Sequence, residues 1–248
     1  LFRSSVLKYT LLLFTFGMTA CSDFLDEVNH SSQSADKYYQ TKGGYESLIV
    51  GCYSNLKNIY NTTTYQIFTQ QGTDVFTQNY PTEVAAMNQY TTTYQSNNGT
   101  IYAMWSSYFN ALNNVNAAID RSKSVILKTD DPDGIEPSAL TQLVAEAKAL
   151  RAWYLFEIVR NWGQGPLKIN ESKEPSYTVE YSNGAAFYQQ IFTDLEEAIR
   201  VLPWRQMGSN YGRMSKAAAK HIRALAYLTR GYEEYADPKD FENAFKDA

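Results

Sequence analysis

Between Gly44 and Tyr60 the apolar residues Tyr45, Leu48, Ile49, Cys52, Tyr53, Leu56 and Ile59 recur at steps of three and four, the spacing that gathers side chains on one face of a helix. The periodicity then lapses. Thr62-Thr63-Thr64, Gln70-Gln71-Gly72, Gln78-Asn79-Tyr80-Pro81, Tyr90 to Gln95 and Ser96-Asn97-Asn98-Gly99 are polar, aromatic and rich in turn formers, which predicts long loops with at most short elements. It resumes at Ile101, where Met104, Trp105, Tyr108, Phe109, Leu112, Val115, Ala118 and Ile119 mark a helix running to about Val125. The chain turns at Asp130-Asp131-Pro132-Asp133-Gly134. Pro137, near a favoured first helical position, then opens a helix that buries Leu140, Leu143, Val144, Ala147, Leu150, Tyr154, Leu155 and Ile158 and ends at Gly163. A further helix takes Ser182 or Asn183 as N-cap, turns Phe187, Ile191, Leu195, Ala198, Ile199 and Leu202 inward and stops before Pro203. Another begins at Ser215, with Ala217, Ala224 and Gly231 spaced seven apart as a row of small side chains that a neighbouring helix can approach. Asp237-Pro238 caps a last helix carrying Phe241, Ala244 and Phe245, and Ala248 falls inside its pattern, so the sequence looks truncated. Helix pairs joined by turns are the units of a repeat solenoid. With irregular spacing and no full tetratricopeptide consensus, the expected fold class is all-α, built of irregular tetratricopeptide-like helical repeats with long loops.

Composition keeps this picture and narrows the partners. The 248 residues are 44% hydrophobic and 19% charged, as in an ordinary globular protein. The formal net charge is −4, and no stretch collects the Lys/Arg stripe that a phosphate backbone requires, so nucleic acid is not an expected partner. At the N-terminus Arg3 and Lys8 precede the apolar run Leu11-Leu12-Leu13-Phe14-Thr15-Phe16, and Thr19-Ala20 precede Cys21, the three parts of a secretory signal. The run falls short of the roughly 20 apolar residues a bilayer span needs. Small residues before a cysteine resemble the bacterial lipobox, whose thiol receives diacylglycerol before the signal is removed. Cys21 is therefore the expected lipid attachment site behind a signal peptide of residues 1–20; Met18 stands where that motif usually carries Leu. Residues 21–40 hold too little apolar surface to fold alone and read as a tether, leaving 41–248 for an incomplete helical domain. Asp23, Asp26 and Glu27 behind the cysteine resemble the signal that sends lipoproteins of Bacteroidetes to the outer face of the outer membrane; a solvated linker has the same composition.

Enzymatic constellations are missing from the sequence. It holds two histidines, His30 in the tether and His221 in an Ala-rich helix where a hydrogen-bonded packing role is expected, and it lacks His or Cys pairs, a G-x-S-x-G elbow and a phosphate-cradling glycine loop. No cofactor is expected. Aligning Gly134 with a calcium-loop glycine places Thr129 and Leu140 at the first and twelfth ligand positions, so the acidic turn fails as an EF-hand and no metal site is expected. Cys52 reads as a small buried hydrophobe. Glu146 and Asp194 are expected as ion-pairing partners within helices.

Two blocks carry a family resemblance. Ala145-Glu146-Ala147-Lys148-Ala149-Leu150-Arg151-Ala152-Trp153-Tyr154-Leu155-Phe156, continuing through Val159-Arg160-Asn161-Trp162-Gly163 to Pro166-Leu167, closely resembles the signature helix of the SusD/RagB family. Asp194-Leu195, Ala198, Leu202-Pro203, Gly212-Arg213-Met214-Ser215-Lys216-Ala217-Ala218-Ala219 and Ala224-Leu225-Ala226-Tyr227-Leu228 follow in the family's order. Gln164 and Gly165 depart from its usual residues before the proline. The resemblance implies a non-enzymatic lipoprotein, anchored through lipid in the outer membrane and facing the cell exterior, that captures oligo- or polysaccharide for a SusC-type TonB-dependent transporter. Peptide capture of the RagB type, and a helical-repeat scaffold or adhesin, are the alternatives.

Sugars are held by stacking on aromatic rings while amide and carboxylate side chains bond the hydroxyls. Tyr80, Tyr90 and Tyr94, interleaved with Asp74, Gln78, Asn79 and Asn88 in the polar segment, are the expected ligand contacts; a solvated or transporter-facing loop is the other reading of the same residues. Trp105, Trp153 and Trp162 sit within helical patterns and are expected to be taken up by packing. Trp204, in a loop beyond Pro203, is a further exposed aromatic.

Overall fold

The computed structural model describes residues 35–77, 83–91, 94–174, 176 and 178–248. Tyr38–Ala248 forms one compact unit, which holds all the helices that build the core. After the short helix α1 (Ala35–Gln40) come α2 (Lys42–Tyr60), α3 (Thr63–Gln70), α4 (Glu83–Gln89), α5 (Gly99–Arg121), α6 (Pro137–Trp162), α7 (Gly184–Val201), α8 (Lys216–Arg230) and α9 (Asp240–Asp247). The fold is all-α. Among the described residues the only β pairing is two isolated bridges, Leu127 with Ile135 and Gly165 with Ser182.

The helix ends follow from local chemistry. Thr41, Thr62, Asn98, Asn183 and Ser215 cap α2, α3, α5, α7 and α8, each side-chain oxygen accepting from a first-turn N–H that has no helical partner. Pro137 opens α6, and Gly163 closes it in the left-handed region at φ +73°. α9 differs from expectation. It starts at Asp240, two residues later than the Asp237-Pro238 pair implies, because Asp237 Oδ1 accepts from the Lys239 N–H in a local turn. The buried Asp240 carboxylate accepts from the Asp237 N–H and from Arg230, so its side of α9 and Ala244 turn inward. Phe245 is left 85% exposed and Phe241 half-exposed over Gly231.

α6 is the centre, packed by α2, α5, α7 and α8. From Leu143 to Val159 it is buried almost all round, as a helix inside a bundle must be. Its Leu150, Tyr154 and Ile158 meet Tyr45, Ile49 and Cys52 of α2, Tyr108 and Leu112 of α5, and Phe187, Ile191 and Leu195 of α7 in one core. Cys52 is packed there as a small apolar group, with burial pushing its thiol up to about 12. His221, by contrast, is exposed on α8, because Ala219, Ile222 and Ala226 take the inward face.

Three buried polar groups on α6 tie it to its surroundings. Glu146 accepts from Tyr53 Oη at 2.6 Å and Arg213 Nε at 2.7 Å, while Tyr53 Oη accepts from the Met214 N–H, which joins α2 to the loop before α8. Burial raises the Glu146 carboxyl above its usual range against the pull of these donors. Arg151 grips Asp194 of α7 through two 2.7 Å bonds, and its remaining nitrogen reaches the Ile169 carbonyl at 2.8 Å and Asn116 Oδ1 at 3.3 Å. Asn116 in turn donates to the Lys168 and Asn170 carbonyls, so the connection between α6 and α7 is strapped over α5 by part-buried bonds. Glu157 accepts from Tyr108 Oη at 2.9 Å.

Leu150→Ala removes a fully buried side chain from this core and is expected to cost about 2–5 kcal/mol. Asp194→Ala strands a buried guanidinium and is expected to cost about 3–5 kcal/mol. Urea unfolding checks both, and values below 1 kcal/mol would contradict the packing and the pairing respectively.

Candidate functional site

At one end of the bundle a cleft of about 650 Å³ opens where α3, the residues around α4, the start of α5 and the end of α6 converge. Its floor is aromatic. Phe68 of α3 stacks on Trp162 with ring centres 5.6 Å apart at 24°, and Trp105 of α5 meets Trp162 edge-on at 5.1 Å and 85°. The Asn98 cap fixes where α5 begins and so where Ile101, Tyr102 and Trp105, one turn apart, enter the cleft. Gly163 ends α6 directly after Trp162. Beneath the floor Tyr108 lies edge-on to Trp162 and donates to Glu157. Burial raises the Glu157 carboxyl above its usual range, and Arg160, 2.8 Å from Oε1 but off the hydrogen-bonding line, works against the rise.

The walls carry tyrosines with open faces. Tyr90 and Tyr102 are each 69% exposed and Tyr181 64%. Tyr94 meets the Tyr90 ring edge-on at 6.2 Å. Tyr181 arrives from the strap between α6 and α7, where Ser182 pairs with Gly165 in both directions, at 2.8 and 3.2 Å. Tyr90 has φ +52°, the one non-glycine residue at positive φ among those described. It follows α4, and the Thr91 N–H reaches back to the Ala86 carbonyl, so Tyr90 occupies the left-handed position that glycine usually takes at a helix end. An L-residue there costs about 1–2 kcal/mol. The ring is held by its hydroxyl, which donates to the Gly72 carbonyl at 3.0 Å. The Gly72 N–H donates to Asn88 Oδ1, and Asn88 Nδ2 donates to Thr77 Oγ1, closing the turn onto α4.

Of the expected ligand residues, Tyr90 and Tyr94 line the cleft together. Asn88 stands behind it as the bracket of the Gly72 turn, and Asp74 is exposed on that turn without lining the cleft. Gln78, Asn79, Tyr80 and Cys21 lie outside the described residues. The expectation that packing takes up the helical tryptophans holds for Trp153, whose Nε1 donates to Tyr60 Oη at 2.7 Å. Trp162 is likewise part-buried against the core, and it and the part-covered Trp105 also form the floor of the cleft. Trp105 sits in the second turn of α5 and Trp162 in the last of α6, with their rings against one another. Tyr102, Tyr181 and Gln71 were missed. Tyr102 has a readable signal, an aromatic set off the apolar face of its helix; Tyr181 depends on the strap geometry and has none.

Fold and cleft together define an all-α protein with an aromatic cleft at one end of its bundle. Residues 23–232 match the SusD-like family described as "starch-binding associating with outer membrane", and the chain belongs to that family. SusD-like protein P25 of Formosa agariphila is 24% identical over 90% of this chain and 42% of its own length, and a SusD-like protein of Bacteroides ovatus is 28% identical over 91% and 39%. The chain thus spans about two fifths of the relatives it matches. The crystal structure of a SusD homolog from Bacteroides thetaiotaomicron superposes with a TM-score of 0.71 at 22% identity, covering 86% of this chain and 41% of the other. A laminarin-binding SusD-like protein gives 0.68 at 20%, covering 84% and 43%. At these identities the solved structures establish the fold.

A Cβ at Gly72, where φ is +80°, would stand 2.5 Å from Tyr90 Oη. Gly72→Ala is expected to destabilise the turn by about 1–2 kcal/mol, read as faster amide exchange across residues 70–74. Exchange indistinguishable from the parent protein would show that Tyr90 does not clamp the turn.

Proposed function

We propose that this chain serves as a glycan-capturing surface lipoprotein that takes neutral oligo- or polysaccharide into the aromatic cleft and passes it to a SusC-type TonB-dependent transporter. The observation that carries this reading is the lining of the cleft. Tyr90, Tyr94, Tyr102, Trp105, Trp162 and Tyr181 supply ring faces, Gln71, Ser96 and Asn161 supply uncharged polar groups, and no described lining residue bears a formal charge at neutral pH. Pyranose C–H faces stack on such rings, and hydroxyls bond amides and phenols. A peptide would bring charged termini and side chains that this lining leaves unpaired, at a cost in affinity. Capture rather than catalysis suits the same residues. The Glu157 carboxylate is buried behind Tyr108, away from any ligand. The name of the laminarin-binding relative and the family description both favour glycan over peptide.

The membrane side of the proposal rests on the N-terminal residues. Residues 1–20 act as the signal peptide, Cys21 carries the lipid, 21–40 tether the helical domain that begins at 41, and the protein stands on the outer membrane facing the exterior. No described helix is long and apolar enough to cross a membrane. Labelling with a palmitate analogue should mark the parent protein and not Cys21→Ser; equal labelling would remove the anchor.

Binding to soluble β-1,3-glucan and soluble starch, followed by calorimetry, tests the cleft. Trp105→Ala is expected to weaken the better of the two ligands about 5–30-fold, and Tyr90→Ala and Tyr94→Ala by similar or smaller factors, the scale of one aromatic contact. Parent-like binding by all three folded variants would sink the reading.

A further inference from the structure

We infer that Gln71 is the hydroxyl-reading, specificity-determining residue of the cleft, an inference that rests on the glycan reading of that cleft. Gln71 follows the last residue of α3 and lines the cleft three positions after Phe68, so it sits one helical turn beyond the ring stacked on Trp162. Its carboxamide oxygen is buried and has no hydrogen-bond partner. Such a group is rare in a folded protein, because leaving a buried acceptor unpaired forfeits its hydration without return.

The position is held firmly. The Gln71 N–H donates to the Ile67 carbonyl at 3.1 Å, and the next residue, Gly72, is clamped on both sides, its carbonyl accepting from Tyr90 Oη and its N–H donating to Asn88. The turn that carries the orphaned amide is thereby bonded to a ring that lines the same cleft. Another cleft amide, Asn161, has its nitrogen engaged with the Glu157 carbonyl at 2.7 Å, so that it offers an acceptor to the cleft as well.

The chemistry of the missing partner follows from the amide. As placed, Gln71 needs a donor. Turned by half a rotation it would bury its NH₂ in the same spot and need an acceptor instead. A hydroxyl is both, so once the side chain turns its covered carboxamide into the cleft an alcohol of the ligand satisfies Gln71 in either orientation. Stacking on the neighbouring rings engages the C–H face of a sugar and reports little about its substituents, whereas a buried amide discriminates a ligand with a hydroxyl at that point from one without. Gln71 would therefore contribute selectivity and the aromatic floor most of the affinity.

A functional role also makes Gln71 a cost to the unliganded fold, which a purely structural glutamine would not be. Gln71→Leu, of similar volume, removes the unpaired group and is expected to raise the melting temperature by about 2–6 °C without ligand. The same variant should bind the better of soluble β-1,3-glucan and soluble starch about 5–20-fold more weakly. A lowered melting temperature would overturn the inference by showing that Gln71 stabilises the fold. Parent-like binding by Gln71→Leu, with Trp105→Ala weakened, would overturn it while leaving the cleft reading intact. If both variants bind as the parent does, the cleft reading itself fails and Gln71 with it.

Discussion

The bidentate pair between Arg151 and Asp194 sets the geometry on which the cleft depends. Both groups are almost wholly buried, and a guanidinium removed from water is tolerable only when its nitrogens are bonded. Asp194 accepts from two of them, and the Ile169 carbonyl and Asn116 Oδ1 both accept from the third. The pair therefore joins α6 to α7 and also draws the strap after α6 across α5, with Asn116 holding Lys168 and Asn170 and Arg121 gripping Glu171. Once the strap is laid in that direction, Gly165 and Ser182 meet and Tyr181 reaches the cleft. A charge pair deep in the bundle thus places a ring at its end.

The second constraint is where the long helices stop. α6 is buried along its middle and loses its neighbours only in its last turn, so Trp162 emerges partly covered while Tyr154 and Ile158 do not. Trp105, in the second turn of α5, is part-covered between the buried Met104 and Tyr108. The two indoles meet edge-on, α3 lays Phe68 across one of them, and Glu157 is buried behind the floor. The floor tryptophans, Trp105 and Trp162, are residues that a helical pattern reads as core, whereas Tyr90, Tyr94 and Tyr181 of the walls come from connections.

This explains what was legible in the sequence. The long helices α2, α5, α6, α7 and α8 are readable because their apolar spacing and end signals act locally, Asn183, Ser215, Pro137 and Gly163 doing what their chemistry requires. By contrast, α3 and α4 fall in the segment read as long loops with at most short elements. Asp194 and Glu146 were recognisable as pairing residues, although their partners, Arg151 and Arg213, are set by tertiary packing. The cleft was half legible. Tyr90 and Tyr94 stand out as aromatics in a polar segment, whereas Trp105 and Trp162 carry the same three-and-four spacing as buried neighbours, and periodicity cannot tell a helix end that emerges from one that does not. Asn88 was read as a ligand group and is spoken for by Gly72 and Thr77, a bond pattern invisible without the fold.

The central claim, that the rings of this cleft receive a neutral glycan, is tested most directly by a crystal structure of the protein with a gluco-oligosaccharide present above its solution dissociation constant. The expected result is sugar density lying against Trp105 and Trp162 with Tyr90 at its edge. Saturated binding in solution with the sugar found elsewhere, and the cleft filled only by water, would contradict it.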